Sequence, residues 1–295
     1  KNYSLYTTNQ KPGSDTQTQG KDNYYNAFTE EDWNGQEYLM AKGDKTEIWN
    51  LQLCSTPRAV QNDQMSWQAT LVPTMEAVEM YYSKNGLPMD VDPLTKDRDL
   101  YSVAPGDSTV LLHRDRDPRF YATVFYNGSS RGKDVVSTVA GANCGLNATS
   151  IRYTHTGYYM RKFAHDASNR NSNSDGYMRG VRLAELYYNF AEVAYQAVGP
   201  DKVVSVSGLN LSARDAVNKV RARVNMPGIP SGLSVSDFEK RYRNDRRVEF
   251  ALESDRYFSL RRWKALSSTA VVSGVKVSGT GKNITYERFS FDKRM

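Results

Sequence analysis

The side chains best suited to chemistry in this sequence are aromatic rings standing among amides. Tyr24, Tyr25 and Trp33 sit in a stretch rich in Asn and Glu, and Asn62, Gln64 and Trp67 sit in the polar run before Pro73. Tyr126, Asn127 and Gly128, with Arg131 close behind, make a third and weaker group at the end of an alternating segment. A flat ring beside planar amides suits a molecule with an apolar C–H face and a rim of hydroxyls. The face packs on the ring, and the hydroxyls find donors and acceptors. A pyranose has that form, and peptide side chains grip the same rings. The competing account of each ring is that it anchors a long polar loop to the core, because Trp is highly buried on average.

Other chemistries find less support. His113, His155 and His165 are the only histidines, and no HExxH, GxSxG or P-loop pattern occurs. Asp and Glu are common, but no pair is marked out for acid–base hydrolysis, so no catalytic residue is assigned. Asp90-Val91-Asp92-Pro93 with Asp97 and Asp99 lacks EF-hand spacing and reads as a solvated acidic loop rather than a Ca²⁺ site. Cys54 and Cys144 fit no zinc or redox motif and read as two thiols, with a single disulfide as the alternative. No metal or cofactor is therefore expected. A net charge of +6 from mixed signs is too modest to imply nucleic acid. No run of about 18 apolar residues is present to span a bilayer. The sequence begins with Lys rather than Met and reads as a mature form or an excised piece.

The elements that must hold such rings fall in two parts. Residues 1–176 are loop-rich and polar, with 1–36 reading as loop throughout. Within them, Thr46–Leu53 reads as a short strand or buried turn, and Pro73–Tyr82 as a short helix with Pro in its first turn. Asp115–Asn127 alternates Phe120, Ala122, Val124 and Tyr126 and reads as a strand. From Val181 the pattern turns helical. Leu183, Leu186, Tyr187, Phe190, Ala191, Val193 and Ala194 predict one wide apolar face, stopped at Gly199–Pro200. Ser212 and Asp215 predict a capped start for a second helix, with Ala213, Ala216, Val217, Val220 and Val224 on one side. The third and strongest pattern, Ser236 to Lys264, predicts one long helix opened by a Ser236/Glu239 capping box. It docks through Phe238, Tyr242, Val248, Leu252, Phe258, Trp263 and Leu266, and carries nine basic against six acidic residues. That mixture predicts a solvated face on which arginines pair with Asp245, Glu249, Glu253 and Asp255, and with partners elsewhere in the fold. Trp49, Trp263 and Leu186 are assigned to the core. Val271–Val277 and Ile284–Phe291 read as a hairpin or loops.

Three blocks carry a family resemblance: RLAELYYNFAEVAYQ (182–196), SARDAVNKVRARVNMP (212–227) and FEKRYRNDRRVEFALESDRYFSLRRWK (238–264). In order and spacing they resemble the C-terminal core of the SusD/RagB family, and PTMEAVEMYYSKNGLP (73–88) and RDPRFYATVFYNG (116–128) are similar to earlier segments of it. The resemblance covers roughly residues 46–295 and is strongest in the last third. It implies a mainly α fold with large irregular loop regions and short strands, including a tetratricopeptide-like helical pair in the C-terminal third. Residues 1–176 would be the loop-rich ligand-binding region and 177–295 the helical core, together one continuous domain of a larger protein. The resemblance also implies a lipid-anchored nutrient-binding protein on the outer membrane of Bacteroidetes. Such a protein caps a TonB-dependent SusC-like transporter and holds oligosaccharide, or sometimes peptide, without catalysis. The family's signal peptide, lipid-bearing Cys and N-terminal repeats have no counterpart here, so the anchor would sit on a missing N-terminal part, itself a partner. In similar proteins aromatics come from the region ahead of the Pro-Thr helix start, which puts Trp67 first among the candidates.

Overall fold

The structure is a computed structural model describing residues 2–9, 11–29, 36–43, 51–52, 54–57, 69, 71–103, 107, 109–147, 150, 152–166 and 177–291. Trp33, Trp49, Asn62, Gln64 and Trp67, and with them most of Thr46–Leu53, lie outside the described residues.

The chain departs from expectation at once, because α1 (Thr16–Thr29) stands where polarity predicts loop. Its buried face mixes Gly20, Asp22, Asn23 and Ala27 with the rings of Tyr24, Tyr25 and Phe28, a composition in which apolar periodicity barely registers. Gly20 lets the helix press against the end of a later helix, where an added Cβ would stand 2.1 Å from the Val224 carbonyl oxygen. Asn23 Nδ2 donates to the Arg223 carbonyl at 2.7 Å, and Tyr24, Ala27 and Phe28 are buried. Distant contacts thus make this helix, which has little apolar stripe of its own.

β1 (Tyr38–Gly43) follows, then α2 (Met75–Glu79). Thr74 caps α2 by accepting from the Ala77 N–H, so Pro73 precedes the cap rather than filling the first turn. The expected strand over Asp115–Asn127 is mostly α3 (Pro118–Thr123). Asp117 accepts from the Arg119 N–H and Pro118 occupies the first turn, and these two local signals outweigh the alternation of apolar residues. Only Val124–Phe125 is extended, as β2. The ribbon β3 (Ser130–Arg131) with β4 (Asp134–Val135) and the pair of β2 with β5 (Tyr159–Met160) are antiparallel. β6 (Tyr177–Arg182) returns beside β1, also antiparallel.

The helical third begins with α4 (Leu183–Val198), closed by Gly199 at φ 91°. Its buried face is Ala184, Tyr188, Ala191, Glu192, Ala194 and Tyr195. Leu186 and Val193 point outward instead, at 45% and 70% exposure. The apolar arc is wider than the packed arc, and small residues and tyrosines, not the large aliphatics, meet the neighbouring helices. β7 (Val204–Val206) and β8 (Leu209–Leu211) form a hairpin. α5 (Ala213–Arg223) opens as expected, with Ser212 accepting from the Asp215 N–H and Ala213, Ala216, Val217 and Val220 buried. It packs along α4 as the tetratricopeptide-like pair.

The long helix of the sequence reading is two helices, α6 (Val235–Glu249) and α7 (Asp255–Arg262). The cap is Ser234, which accepts from the Asp237 N–H, two residues ahead of the expected box. Leu252 and Ser254 adopt φ 66°, which no helix accommodates, so the chain turns between the two. Phe238, Tyr242 and Val248 are buried as expected, whereas Leu252, Phe258 and Leu266 are exposed because the break rotates α7 out of register. Trp263 is half-buried against the α4–α6 cluster, its indole N–H donating to Glu192 at 2.7 Å. β9 (Ser273–Ser278) and β10 (Thr285–Ser290) pair antiparallel, the hairpin of the two expected alternatives.

Charge organises the centre. Glu249 is fully buried, and its carboxylate meets Arg182 at 2.7 Å, Arg119 at 3.0 Å and Arg223. Arg182 also holds Glu37 at 2.9 Å and Glu253 at 2.8 Å, and Arg223 holds Glu37 at 2.7 Å. Asp245 takes Arg119 at 2.7 Å and Arg221, and Asp117 takes Arg119 at 2.7 Å. Lys162 reaches Glu253 at 2.6 Å. The carboxylates named for pairing do pair, but in the interior and chiefly with arginines from α3, β6 and α5. The solvated face expected of this segment is therefore largely a buried one.

Cys54 and Cys144 carry no disulfide, and burial pushes the Cys144 thiol up to about 12. Among the described residues no helix is long and apolar enough to cross a membrane, and no group of three or more His, Cys, Asp or Glu is placed to hold a metal ion. In the acidic loop, Asp92 turns inward and accepts from the Leu94 N–H at 2.7 Å and from Asn85 at 3.2 Å.

Candidate functional site

An open groove of about 400 Å³ runs between α1 and the α3–β2–β3 segment. One wall is the start of α1, with Gln17 and Lys21. The other carries the half-buried rings of Tyr121 and Tyr126 and the hydroxyls of Ser129 and Ser130. Arg161 and Asp166 form the floor and continue into a second recess of about 540 Å³ lined by Tyr25, Asn26 and His165. Both volumes fall within the roughly 300–1,000 Å³ of ordinary small-molecule sites.

Each groove residue is held from behind. The Tyr126 ring lies nearly parallel to Phe120, with centroids 5.3 Å apart, and 4.7 Å from the His113 ring. Its main chain is fixed by Ser129, whose Oγ accepts from the Tyr126 N–H at 3.0 Å and donates to its carbonyl at 2.7 Å. Gly128, at φ 89°, completes that turn. The Arg161 guanidinium is sandwiched between the rings of Tyr25 and Phe125, 5.1 Å from each centroid, and donates to the Ser130 carbonyl at 3.0 Å and to Asp166 at 2.8 Å. Arg161 Nε and Asp166 Oδ1 have no partner among the described residues. A ligand in the groove would meet Arg161, Asp166 and Ser130 beside two tyrosine rings.

The sequence-named residues separate on this map. Tyr126 lines the groove, and Tyr25 lines the adjoining recess at 9% exposure, its hydroxyl donating to the Ala164 carbonyl at 2.7 Å. Tyr24, expected on a loop, is fully buried on α1. Its hydroxyl donates to the Glu249 carbonyl at 2.5 Å and accepts from Lys162 at 2.7 Å, which makes it part of the charged core. Trp67, Trp33, Asn62 and Gln64 lie outside the described residues. Asn127 and Arg131 are buried, and Asn127 braces the turn by accepting from the Thr138 N–H at 2.9 Å. Tyr121, Arg161, Asp166 and Gln17 were not named from sequence. Arg161 directly follows the aromatic Tyr158-Tyr159-Met160 run, the one local hint of its placement.

Two titratable groups beside the groove are shifted from their ordinary values. The Thr18 backbone and side chain hold the Asp15 carboxyl below its ordinary value. His113, behind Tyr126, is pulled down to about 3 by burial and then by Arg116, so it is neutral throughout the physiological range.

Paired helices beside an irregular, ring-lined groove define the fold class of this chain. The SusD family model matches residues 35–294, and the chain belongs to that family. Among solved structures, a SusD-like protein from Bacteroides fragilis is similar at 23% identity and a TM-score of 0.71, covering 93% of this chain and 52% of its own. A SusD-like carbohydrate binding protein from the same organism matches at 24% identity and 0.60, over 81% of this chain and 44% of its own. A SusD superfamily protein from Bacteroides vulgatus matches at 15% and 0.52, over 88% and 47%. The chain thus spans about half the length of the structures it matches. None of the curated proteins matches it.

Proposed function

We propose that this chain is the C-terminal part of a non-catalytic surface binding protein that holds oligosaccharide in the groove beside α1. The observation that carries the reading is the conjunction of the Tyr121 and Tyr126 rings with Arg161, Asp166 and Ser129 around one open volume of about 400 Å³. Rings offer a face to the C–H side of a sugar, and the polar groups accept and donate to its hydroxyls. Family membership supports the same reading, as does the description of one structural neighbour as carbohydrate binding. Trp67, Trp33, Asn62 and Gln64 are assigned to the same ligand. The protein works at the outer face of the outer membrane, anchored through the N-terminal part, and passes its ligand to a TonB-dependent SusC-like transporter.

Calorimetric titration against a panel of oligosaccharides and a peptide library tests the assignment. Saturable binding of an oligosaccharide is expected, weakened at least about tenfold in Tyr126→Ala, the equivalent of one lost ring contact or charged hydrogen bond. The thermal midpoint of that variant should fall, because its ring also packs on Phe120 and His113, so affinities are compared at a temperature where both proteins are fully folded. Binding of peptides alone, or sugar binding indifferent to Tyr126→Ala and Arg161→Ala, overturns it.

A further inference from the structure

The charges that line the groove are as informative as its rings. Lys21, Arg161 and Asp166 belong to the walls of both the groove and the recess beyond it, so the two form one continuous surface. Lys11 and Asp22 add to the recess, and Asp15 to the groove. These six residues carry three cations and three carboxylates, and each cation is already answered. Arg161 meets Asp166 at 2.8 Å, Lys21 meets Asp22 at 3.2 Å and Lys11 meets Asp22 at 3.8 Å.

Arg161 is the group that an acidic ligand would seek, and it is not free. Nη1 donates to the Ser130 carbonyl and Nη2 to Asp166, Nε is buried, and the rings of Tyr25 and Phe125 lie against the guanidinium. Neither of its forks is left whole for the two oxygens of a second carboxylate. The Arg161 side chain is 13% exposed against 36% for that of Asp166, so the more accessible charge of the pair is the negative one. The N–H groups at the start of α1 would also attract an anion. There the Asp15 carboxylate already accepts from the Thr18 N–H at 2.7 Å. Thr18, with Lys21 adding to it, holds that carboxyl below its ordinary value, so the position stays negative. A sugar hydroxyl meets no such obstacle, since it donates to a carboxylate without bringing a charge. An acidic sugar would come to rest beside Asp15 and Asp166 with no free cation to answer it, and that is rejection by repulsion.

We propose that this surface selects an uncharged oligosaccharide and rejects the same chain bearing carboxylates, with Asp166 and Asp15 enforcing the choice. The inference rests on the reading of the groove as a sugar site and adds to it the charge of the sugar.

The test titrates the purified chain calorimetrically at about pH 8, above the ordinary titration of histidine. The probes are neutral oligosaccharides, malto-, cello-, manno- and galactohexaose among them, each paired with the same chain after oxidation of its C6 hydroxymethyl groups to carboxylates. At least one neutral chain should bind, and its oxidised form should bind at least about tenfold more weakly, the equivalent of one unfavourable charge contact. In Asp166→Asn the oxidised chain should gain at least about tenfold, because Arg161 is then without its counter-charge. Asp15→Asn keeps a side chain that caps a helix equally well, so it carries the test if Asp166→Asn does not fold. There the oxidised chain should gain at least about threefold, more at low salt than at high. Oxidised chains that equal their neutral parents, or that gain nothing in either variant, overturn the inference and leave the sugar reading standing. Failure of every chain to bind in either form overturns the sugar reading, and the inference with it.

Discussion

Replacing Glu249 with Ala tests the central claim about what holds this fold. The carboxylate is fully buried and is shared by Arg182, Arg119 and Arg223, which come from β6, α3 and α5. Its removal leaves three guanidiniums in the interior short of a counter-charge. Breaking a buried pair in this way costs about 3–5 kcal/mol, far above the roughly 0–1 kcal/mol of an exposed pair. At about 2 °C per kcal/mol, appropriate to a chain of this size, the melting midpoint should fall roughly 6–10 °C. Glu79→Ala is the control, since it removes only the exposed contact to Arg288 at 2.5 Å and should change the midpoint by less than about 2 °C.

The same carboxylate has a pH signature. Burial alone would raise it, but Arg223, Arg182 and Arg119 outweigh burial and hold it far below its ordinary 4.5 in the folded chain. A depressed carboxyl contributes stability above its unfolded value and loses it as pH falls toward the folded one. Wild type should therefore weaken progressively below about pH 4.5, and Glu249→Gln should have a shallower acid limb. Calorimetry across that range, with urea slopes confirming an unchanged transition, reads both effects. Equal midpoints for Glu249→Ala and Glu79→Ala, or superimposable acid limbs, would refute the reasoning.

Further outcomes follow from the same contacts. Gly20→Ala should destabilise by about 1–3 kcal/mol, because its Cβ would meet the Val224 carbonyl at 2.1 Å and push α1 off α5; thermal melting reads it. Leu186→Asp should be nearly neutral at 45% exposure, whereas Ala216→Asp, at a fully buried position of α5, should cost more than about 4 kcal/mol in urea denaturation. Burial, opposed by Glu253, lowers Lys162 from 10.5 to about 8. The unfolded chain then binds more protons between those values, so wild-type stability should rise relative to Lys162→Met from about pH 8 to about pH 10.5; a constant difference in urea midpoints contradicts it.

The helical third was legible because its signals are local. Ser212 with Asp215 marks the start of α5, and Gly199 marks the end of α4. Such signals fail where geometry is decided from afar. α1 carries almost no apolar periodicity, and Asn23 and Tyr24 earn their places through residues 200 and 225 positions away. The break after α6 is written in Leu252 and Ser254, residue types that do not announce a left-handed backbone. Counting charges over Ser236–Lys264 gave the right partners and the wrong environment, because the arginines that answer Glu249 lie in three other segments. For the groove, the pairing of rings with polar neighbours pointed to Tyr126 and to the neighbourhood of Tyr25. It could not separate Tyr25 from Tyr24, since adjacent residues on a helix differ by about 100° in direction and only the packing partner decides which one is sealed.

Charged core and groove meet at Arg161 and Lys162. These neighbours turn opposite ways: Arg161 lies in the groove between Tyr25 and Phe125, and Lys162 lies in the interior against Tyr24 and Glu253. Tyr24 and Tyr25 repeat the division on α1, one ring facing the charges and the other backing the guanidinium. The groove floor at Arg161 and the ring of Tyr25 that backs it are therefore each one residue from the buried network. α1 is held by these charges together with Tyr24, Ala27 and Phe28, which pack with Met160, Phe163 and Val224, and its outer face carries Gln17 and Lys21 into the groove.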